Sequence, residues 1–387
     1  KIKGSKNLNV PPLRFPEFSG EWKCTTIGNI GDIKNGPFGS VLHAEDYVEN
    51  GIPIVTTEHF KTGLMPSDKF GIPQVSNEDY IRLKGYRLET NDIVFSRVGS
   101  VDINAHVGIE QNGWLFSGRV LRVRPKYDID SLFLHYALST EAVKRDIRNR
   151  AVGQTMPSIN TPILSSTTIQ LPKDLFEQKK VAHFLRLLDE RIITQNKIIE
   201  KLQSLIKGIA QHCIKESTSG NTYVKLGDIC QITTGKLDAN AQVDNGIYPF
   251  FTCAEQPFKI DSFAFDTEAL LISGNGANLG YINYYKGKFN AYQRTYVLDL
   301  FSENIQYIKW ALKVLLPKRI AIEKSSSNTP YIVLSTLTDL RLPIPCKSKQ
   351  SFIANLMQSL ERKLSNQIAQ YDSYNYLKQY LLRQMFI

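Results

Sequence analysis

The apolar positions of residues 177–214 recur at intervals of four, three, four and three residues. The set is Val181, Leu185, Leu188, Ile192, Gln195, Ile199, Leu202, Ile206, Ile209 and Cys213. This spacing predicts one narrow seam, which is typical of a coiled-coil helix rather than of a helix packed on a sheet. Asp174 and Glu177 are placed to form a capping pair, and the polar segment 215–221 predicts the end. Such a helix, about 57 Å long, needs a partner.

The predicted partner is at the C-terminal end of the sequence. Adding 172 to each seam position gives Ile353, Met357, Leu360, Leu364, Gln367, Tyr371, Tyr374, Lys378, Leu381 and Met385. Most of these are apolar or aromatic, the glutamine recurs at the same place, and a Leu-Pro pair precedes each helix, so we interpret the chain as an internal duplication. Gln195 and Gln367 lie at the midpoints of their helices. An antiparallel pair therefore predicts that the two amides meet and fix the register; a homodimer of single helices is the simpler alternative.

The segments that precede the two helices also match. Residues 27–30 recur as residues 226–229, with Gly28 and Gly227 interpreted as strand starts. Segment 91–96 corresponds to segment 268–273, and a Pro-x-Ile element at 157–159 recurs at 330–332. The offset between matching residues is 199 at Gly28 and Gly227 but 172 at the long helices, so the first repeat is longer. We assign its additional residues to the interval 61–85. We therefore predict that each repeat forms a compact α/β module of short strands between turns, followed by a long helix.

Charge and cysteine content narrow the function classes. The chain has 47 Lys and Arg against 37 Asp and Glu, a net charge of +10 that favours a polyanionic partner such as nucleic acid. Its five cysteines are scattered, without C-x-x-C spacing, and indicate reduced thiols in a cytoplasmic protein. We expect no metal site, no cofactor, no secretory signal and no membrane span.

Three segments resemble catalytic or nucleotide-binding motifs, but each lacks residues or structural context that its motif requires. Residues 328–331, Asn-Thr-Pro-Tyr, resemble the N-P-P-Y motif of adenine methyltransferases, but the matching residues 155–158 of the first repeat contain no asparagine. The Gly235-Lys236 pair lacks the remaining P-loop residues, and the glycines of 273–280 lack the context of a dinucleotide site. We therefore expect no catalytic residues.

The pattern resembles the specificity subunit of type I restriction-modification systems. The resemblance rests on Leu13-Arg14-Phe15-Pro16, Glu21-Trp22, residues 92–97 and the paired Leu-Pro helix units. It implies an α+β fold: two α/β target-recognition domains in tandem, each followed by a long helix, with the helices paired as an antiparallel coiled coil. It also implies that each domain reads one half of a split, asymmetric double-stranded DNA site. Methylation and cleavage would belong to partner methyltransferase (M) and restriction (R) subunits.

The sequence departs from the family pattern at residues 346–349, where Ser348 is the available N-cap for the second helix. We expect an N-terminal arm and recognition domain at 1–172, a spacer helix at 173–215, a second recognition domain at 216–345 and a second spacer helix at 346–387. We also expect two M subunits to dock on the outer helix faces, which carry Lys179, Lys180, Arg186, Arg191, Lys197 and Lys201.

Candidate DNA contacts are polar residues on glycine-flanked turns or at matching places in both repeats. In the first repeat they are Lys34, Asn35, Ser40, Arg97, Arg119 and Gln154. In the second they are Lys236, Asn275, Asn278, Gln293, Arg294 and Asn328. Other arginines, Arg122, Arg124, Arg145, Arg148 and Arg150, are interpreted as solvated or phosphate-facing. The alternatives are a self-contained adenine methyltransferase or endonuclease, and a coiled-coil scaffold that binds no nucleic acid.

Overall fold

The computed structural model describes residues 9–37, 44–217, 222–323 and 331–387. The chain divides into two compact units, and each is described by itself. The first unit contains Lys1–Thr194 with Tyr371–Ile387, and the second contains Gln195–Gln370. Two long helices, α6 (Leu175–Glu216) and α9 (Lys347–Gln384), contribute a segment to each unit.

The first unit is built on two small sheets. Its strands are β1 (Lys23–Thr26), β2 (Gly31–Asn35), β3 (Tyr47–Val48), β4 (Ile52–Val55), β5 (Gln74–Val75), β6 (Ile93–Ser96), β7 (Asn104–His106), β8 (Leu115–Phe116), β9 (Val120–Pro125) and β10 (Thr168–Leu171). Its short helices are α1 (Ile27–Ile30), α2 (Asn77–Arg82), α3 (Ser131–Leu138), α4 (Glu141–Arg150) and α5 (Thr161–Ser165). The sheets have the orders β2-β9-β6-β7 and β3-β5-β4-β8, and β1 pairs with β10.

The second unit repeats this plan in a single larger sheet. Its strands are β11 (Thr222–Lys225), β12 (Gln231–Thr234), β13 (Tyr248–Phe251), β14 (Phe258–Ile260), β15 (Phe265–Ser273), β16 (Ile282–Ala291), β17 (Thr295–Asp299) and β18 (Arg341–Ile344). Its helices are α7 (Ile305–Glu323) and α8 (Leu334–Thr338). The sheet order is β12-β17-β15-β16-β13-β14, and β11 pairs with β18.

Strand pairing confirms the internal duplication. The central order β2-β9-β6-β7 of the first unit matches β12-β17-β15-β16 of the second. The parallel pair β4–β8 likewise matches the parallel pair β13–β16. The interval 61–85, where the first repeat is longer, contains β5 and α2. The predicted α+β class with two tandem α/β units and two long helices is therefore confirmed.

Gly28 and Gly227 are not strand starts, and that interpretation was wrong. Gly28 lies in α1, and Gly227 lies in a single 3₁₀ turn, each directly after a strand. A Cβ at Gly28 would lie 2.0 Å from Ser165 Oγ, and a Cβ at Gly227 would lie 3.1 Å from Thr338 Cβ. Both glycines therefore pack closely against the last residue of a later helix, Ser165 of α5 and Thr338 of α8, and a side chain at either place would require its neighbour to shift.

Within each unit, α6 and α9 pack along the predicted seam in opposite directions. In the first unit, the start of α6 shares a core with the end of α9; the core includes Val181, Leu185, Leu188, Leu381, Met385 and Phe386. In the second unit, the end of α6 packs with the start of α9 through Leu202, Ile206, Ala210, Ile214, Ile353 and Met357. The antiparallel pair is therefore confirmed. Apolar residues of both helices are buried in the core of each unit, and this burial stabilises the pair.

The capping prediction for α6 is confirmed for Asp174 but not for Glu177, and the capping prediction for α9 was wrong. Asp174 does cap α6, because its Oδ1 accepts the backbone N–H of Phe176 at 2.8 Å. Glu177 does not complete a capping box, since its carboxylate binds Arg14 and Trp22 instead. Helix α9 begins at Lys347, so Ser348 lies inside its first turn and is not the N-cap. Among the described helices, none combines the length and apolar character that a membrane span requires.

Candidate nucleic-acid interface

Three backbone segments of the first unit meet at one edge of its central sheet. The backbone N–H of Gly36, just after β2, donates to Val120 O at 3.0 Å. The N–H of Arg97, just after β6, donates to Arg119 O at 3.0 Å. A Cβ at Gly36 would lie 1.9 Å from Ser117 O, so only glycine permits this close approach. Arg97 and Arg119 are thus brought together; we call residues 97–99, 117–119 and 152–158 the first polar edge.

The loop that carries Gln154 is attached to the same edge. The N–H of Gly99 donates to Pro157 O at 2.8 Å, and Val152 and Ser158 exchange two backbone hydrogen bonds of 2.9 Å. Gly153, with a φ of +103°, permits the turn between them. Gln154 is exposed at the tip of this loop. The polar side chains nearest the sheet end therefore come from three distant parts of the sequence.

An open groove of about 490 Å³ lies at the first polar edge. Its lining includes Arg97, Arg119, Thr56, Thr57 and Glu58. The last three were not predicted from the sequence. They directly follow β4, and residues 51–54 resemble residues 246–249 loosely in sequence. An alignment of the repeats that included this match could have indicated them.

The electrostatics of this groove are set by its two arginines. Glu58 is paired with Lys61, which offsets its charge. Burial, with a smaller contribution from Asp46, raises the pKa of Tyr47, so its phenol stays protonated. The groove can therefore offer guanidinium and hydroxyl donors to a phosphate oxygen or a base edge.

Other predicted residues of the first repeat lie elsewhere. The ammonium of Lys34 lies 5.0 Å from the ring centroid of Tyr86, in a cation–π contact. Asn35 Oδ1 is buried without a hydrogen-bond partner among the described residues. Neither residue lines the groove. Ser40, and Asn328 of the second repeat, lie outside the described residues.

Of the five arginines interpreted as solvated or phosphate-facing, Arg122 is buried, so that interpretation was wrong for it. Arg124, Arg148 and Arg150 remain partly or fully exposed but are paired with carboxylates. Arg122 binds Asp32. Arg124 binds Asp92 at 2.7 Å and Glu89 at 2.6 Å. The remaining pairs are Arg148 with Asp102 and Glu141, and Arg150 with Asp146. These partners are distant in sequence or lie on the same helix, and their carboxylates offset the charges of the guanidinium groups.

A larger groove of about 920 Å³ in the first unit suits a polyanion less well. Its lining mixes bases with Glu89, Asp92, Glu110 and Asp130, and its Arg124 is already paired. Across the described ranges, no three His, Cys, Asp or Glu side chains form a metal-binding group. The groove at the first polar edge is therefore the better candidate for nucleic acid.

The second unit repeats the edge with different side chains. The N–H of Gly235 donates to Thr295 O at 3.2 Å, and the N–H of Gly274 donates to Arg294 O at 2.8 Å. The N–H of Gln293 donates to Leu237 O at 2.9 Å, which places Lys236 beside this turn. We call residues 235–237, 274–278 and 292–294 the second polar edge. The structure therefore brings Lys236, Asn275, Gln293 and Arg294 together.

Asn278 lies on the same edge but is partly engaged. Its Nδ2 donates to Cys253 O at 3.0 Å, and this bond ties the segment after β15 to the segment after β13. Asn275 forms an isolated bridge with Tyr331, the residue after the second Pro-x-Ile proline. The second polar edge thus uses the same structural elements as the first.

The two helix glutamines are in contact in the second unit. Gln195 is 7% exposed, and its Nε2 lies 2.9 Å from both the backbone O and the Oε1 of Gln367. Gln367 directs its own Nε2 to Gln370 Oε1 at 3.4 Å. The contact that the sequence predicted is present, but it runs in one direction rather than as a reciprocal amide pair.

Replacing Gln195 alone by leucine is expected to lower the free energy of unfolding by about 1–3 kcal/mol, because the amide of Gln367 would then face an apolar side chain. The double variant Gln195→Leu/Gln367→Leu should recover most of this loss, since both polar partners are removed together. Urea unfolding followed by circular dichroism measures both. The exposed neighbour Asn196→Ala is the control, with a change of about 0.5 kcal/mol or less. A double variant as unstable as the single one would contradict a specific pairing.

Comparison with known proteins gives a consistent result. The family model described as "Type I restriction modification DNA specificity domain" matches the chain twice, at residues 19–204 and 218–371. The EcoDI specificity subunit of Escherichia coli is 44% identical over 137 residues, which is 35% of this chain and 30% of that protein. The MjaVIII specificity subunit of Methanocaldococcus jannaschii is 24% identical over 90% of this chain and 87% of its own length.

Solved structures agree on the fold. The S subunit of a type I restriction-modification system from M. genitalium has a TM-score of 0.67 at 18% identity and covers 98% of this chain. That match spans 99% of the M. genitalium chain. A chain from a type I restriction-modification complex has a TM-score of 0.58 at 16% identity and covers 96% of this chain and 98% of its own length. With two family matches that together span most of its length, the chain belongs to the family of type I restriction-modification specificity subunits.

Proposed function

We propose that the chain is the DNA-reading subunit of a type I restriction-modification complex, and that each polar edge reads one half of a bipartite, asymmetric site. The observation that carries the proposal is the repeated backbone framework: two equivalent edges present different side chains. Two readers with one framework suit a site whose halves differ in sequence. The net charge of +10 supports a polyanionic partner.

In this proposal the domains keep the boundaries expected from the sequence. Residues 1–172 and 216–345 contain the recognition domains, and residues 173–215 and 346–387 are spacers. Half-sites on one face of a duplex lie about 34–36 Å apart, one helical turn. A helix of about 57 Å is long enough to set such a spacing, and a paired helix resists bending.

Catalysis is assigned to partner subunits in the proposal. The chain would act in the cytoplasm without a cofactor of its own, while M subunits methylate the DNA and R subunits, bound through them, cleave it. The family membership favours this over a self-contained methyltransferase or endonuclease, and the repeated polar edges favour it over a scaffold that binds no nucleic acid. Selection of duplexes from a random library by the assembled complex tests it: a split consensus supports the proposal, and the absence of any consensus rejects it.

The outer faces of the long helices are the proposed docking sites for M subunits. Of the predicted basic residues, Lys179, Arg186, Arg191, Lys197 and Lys201 are exposed. Lys180 is less available, because it pairs with Glu17 and lies over the ring of Phe15 at 4.7 Å. The N-terminal arm therefore contacts one of the six positions.

Two M subunits are expected to bind each chain, because a duplicated chain offers two equivalent surfaces. Native mass spectrometry of the purified complex measures this ratio directly. A stable complex with one M subunit per chain that methylates DNA at a normal rate would contradict the expectation.

A further inference from the structure

The duplication allows each candidate residue to be compared with its structural counterpart. Backbone hydrogen bonds establish the equivalences. Arg97 N–H donates to Arg119 O, as Gly274 N–H donates to Arg294 O. Ile159 N–H donates to Arg97 O at 2.9 Å, as Ile332 N–H donates to Gly274 O at 2.8 Å. Arg97 is therefore the counterpart of Gly274, and Arg119 is the counterpart of Arg294.

At most compared positions the two edges differ in chemistry. Arg97 is matched by glycine. The residue after it, Val98, is matched by Asn275, and the residue before Arg119, Gly118, is matched by Gln293. Pro37, which follows Gly36, is matched by Lys236, which follows Gly235. Among these pairs, only Arg119 and Arg294, which directly precede β9 and β17, have the same charged side chain.

Resting on the proposed function, we infer that Arg119 and Arg294 are matched phosphate anchors, one on each half-site, and that the differing positions carry base specificity. Phosphates are the same in every sequence, whereas base edges differ between half-sites. Two readers of different half-sites can keep one residue only where the DNA group that it contacts is the same. They must differ where they contact bases.

The geometry of the two arginines supports this role. Each is the third residue of a hydrogen-bonded turn: Val120 N–H donates to Ser117 O at 3.0 Å, and Thr295 N–H donates to Tyr292 O at 2.8 Å. The backbone is thus held while the side chains of Arg119 and Arg294 are exposed. Exposure excludes a packing role as the reason for their identity.

Neither Arg119 nor Arg294 forms an ion pair with the described residues, so both positive charges lack a counter-charge in that part of the chain. Arg122 and Arg124, in the strand that follows Arg119, are bound to carboxylates instead. Arg97 differs again, since its Nη1 donates to Gly118 O at 3.1 Å. A guanidinium oriented by such a hydrogen bond suits directional contact with a base edge, and an exposed guanidinium without a counter-charge suits a phosphate.

The test uses the complex reconstituted with its M subunits, and duplexes that carry either the selected site or single-base changes in it. Binding is measured over a range of KCl concentrations. Arg119→Ala and Arg294→Ala should each weaken binding to all duplexes by a similar factor, about tenfold. Each should also reduce the slope of log K against log salt by about 1, without changing the rank order of the duplexes.

Lysine substitutions separate the two roles. Arg119→Lys and Arg294→Lys should keep near-normal affinity and salt slope, because a phosphate accepts a point charge, whereas a bidentate base contact would be lost. Arg97→Ala and Gln293→Ala should each relax preference at one position of one half-site. Arg82→Ala removes an exposed arginine of α2 whose guanidinium pairs with Asp79; it is the control and should change neither quantity.

The outcomes are distinguishable. A changed base preference in Arg119→Ala or Arg294→Ala, or an unchanged salt slope, would overturn the anchor assignment while wild-type specificity remained intact. If the wild-type complex preferred no split sequence at all, the proposed function itself would fail. Circular dichroism of each variant should match the wild-type spectrum, as expected for exposed side chains.

Discussion

Replacing Glu177 by alanine is expected to lower the free energy of unfolding of the first unit by about 3 kcal/mol. The Glu177 side chain is 2% exposed. Its carboxylate accepts two hydrogen bonds from Arg14, at 2.6 and 2.7 Å, and one from Trp22 Nε1 at 3.1 Å. Removal of the carboxylate leaves a largely buried guanidinium without its counter-charge and an indole N–H without its acceptor.

The matched control is Glu190→Ala on the same helix. Glu190 pairs with Arg186 at 3.7 Å, and both side chains are about half exposed. An exposed pair of this kind contributes about 1 kcal/mol or less. Urea unfolding, monitored by circular dichroism and extrapolated linearly, measures the two variants side by side. Equal shifts for Glu177→Ala and Glu190→Ala would show that the N-terminal arm is not held through Glu177.

Exchange of residues 22–169 for those of a relative is expected to change one half of the recognised site and leave the other half unchanged. Strands β1 and β10 pair along Lys23–Thr26 and Thr168–Leu171, so the exchange moves a segment whose ends already meet. Each altered base pair should shift binding by about 1–3 kcal/mol, or roughly 5- to 150-fold. The donor should carry tryptophan at position 22, since Trp22 binds the retained Glu177.

The reciprocal exchange of residues 222–344 is the control for this prediction. Strands β11 and β18 close the second module in the same way. That exchange should alter only the half-site that the first exchange leaves intact. If either chimaera changed both halves, or if neither changed any, the assignment of one module to one half-site would be wrong.

The helix pair could be predicted from sequence because its signal is local and periodic. A repeat of four and three residues specifies one helix face, and the offset of 172 identified the partner. The contact of Gln195 with Gln367 followed from helix midpoints alone. Its one-directional geometry did not, because side-chain rotamers and the choice between a backbone and a side-chain acceptor depend on packing.

Side-chain partners distant in sequence could not be predicted. Arg122 binds Asp32, 90 positions away. Nothing in the local pattern distinguishes it from Arg119, which forms no ion pair with the described residues. Glu177 has the spacing of a capping residue but is bound by the N-terminal arm, 163 positions away. Lys34 has the composition of a DNA contact, yet it lies over Tyr86. Each depends on tertiary contacts that the sequence pattern does not contain.

Sequencing of methylated adenines in a host that carries this chain with its modification subunit tests the central claim most directly. The proposal predicts one split, asymmetric motif: two specified half-sites separated by a fixed number of unspecified base pairs. A host lacking the chain but retaining the modification subunit should show no such motif. A continuous motif, a spacer of variable length, or methylation that persists without the chain would contradict the account of two matched readers at a set spacing.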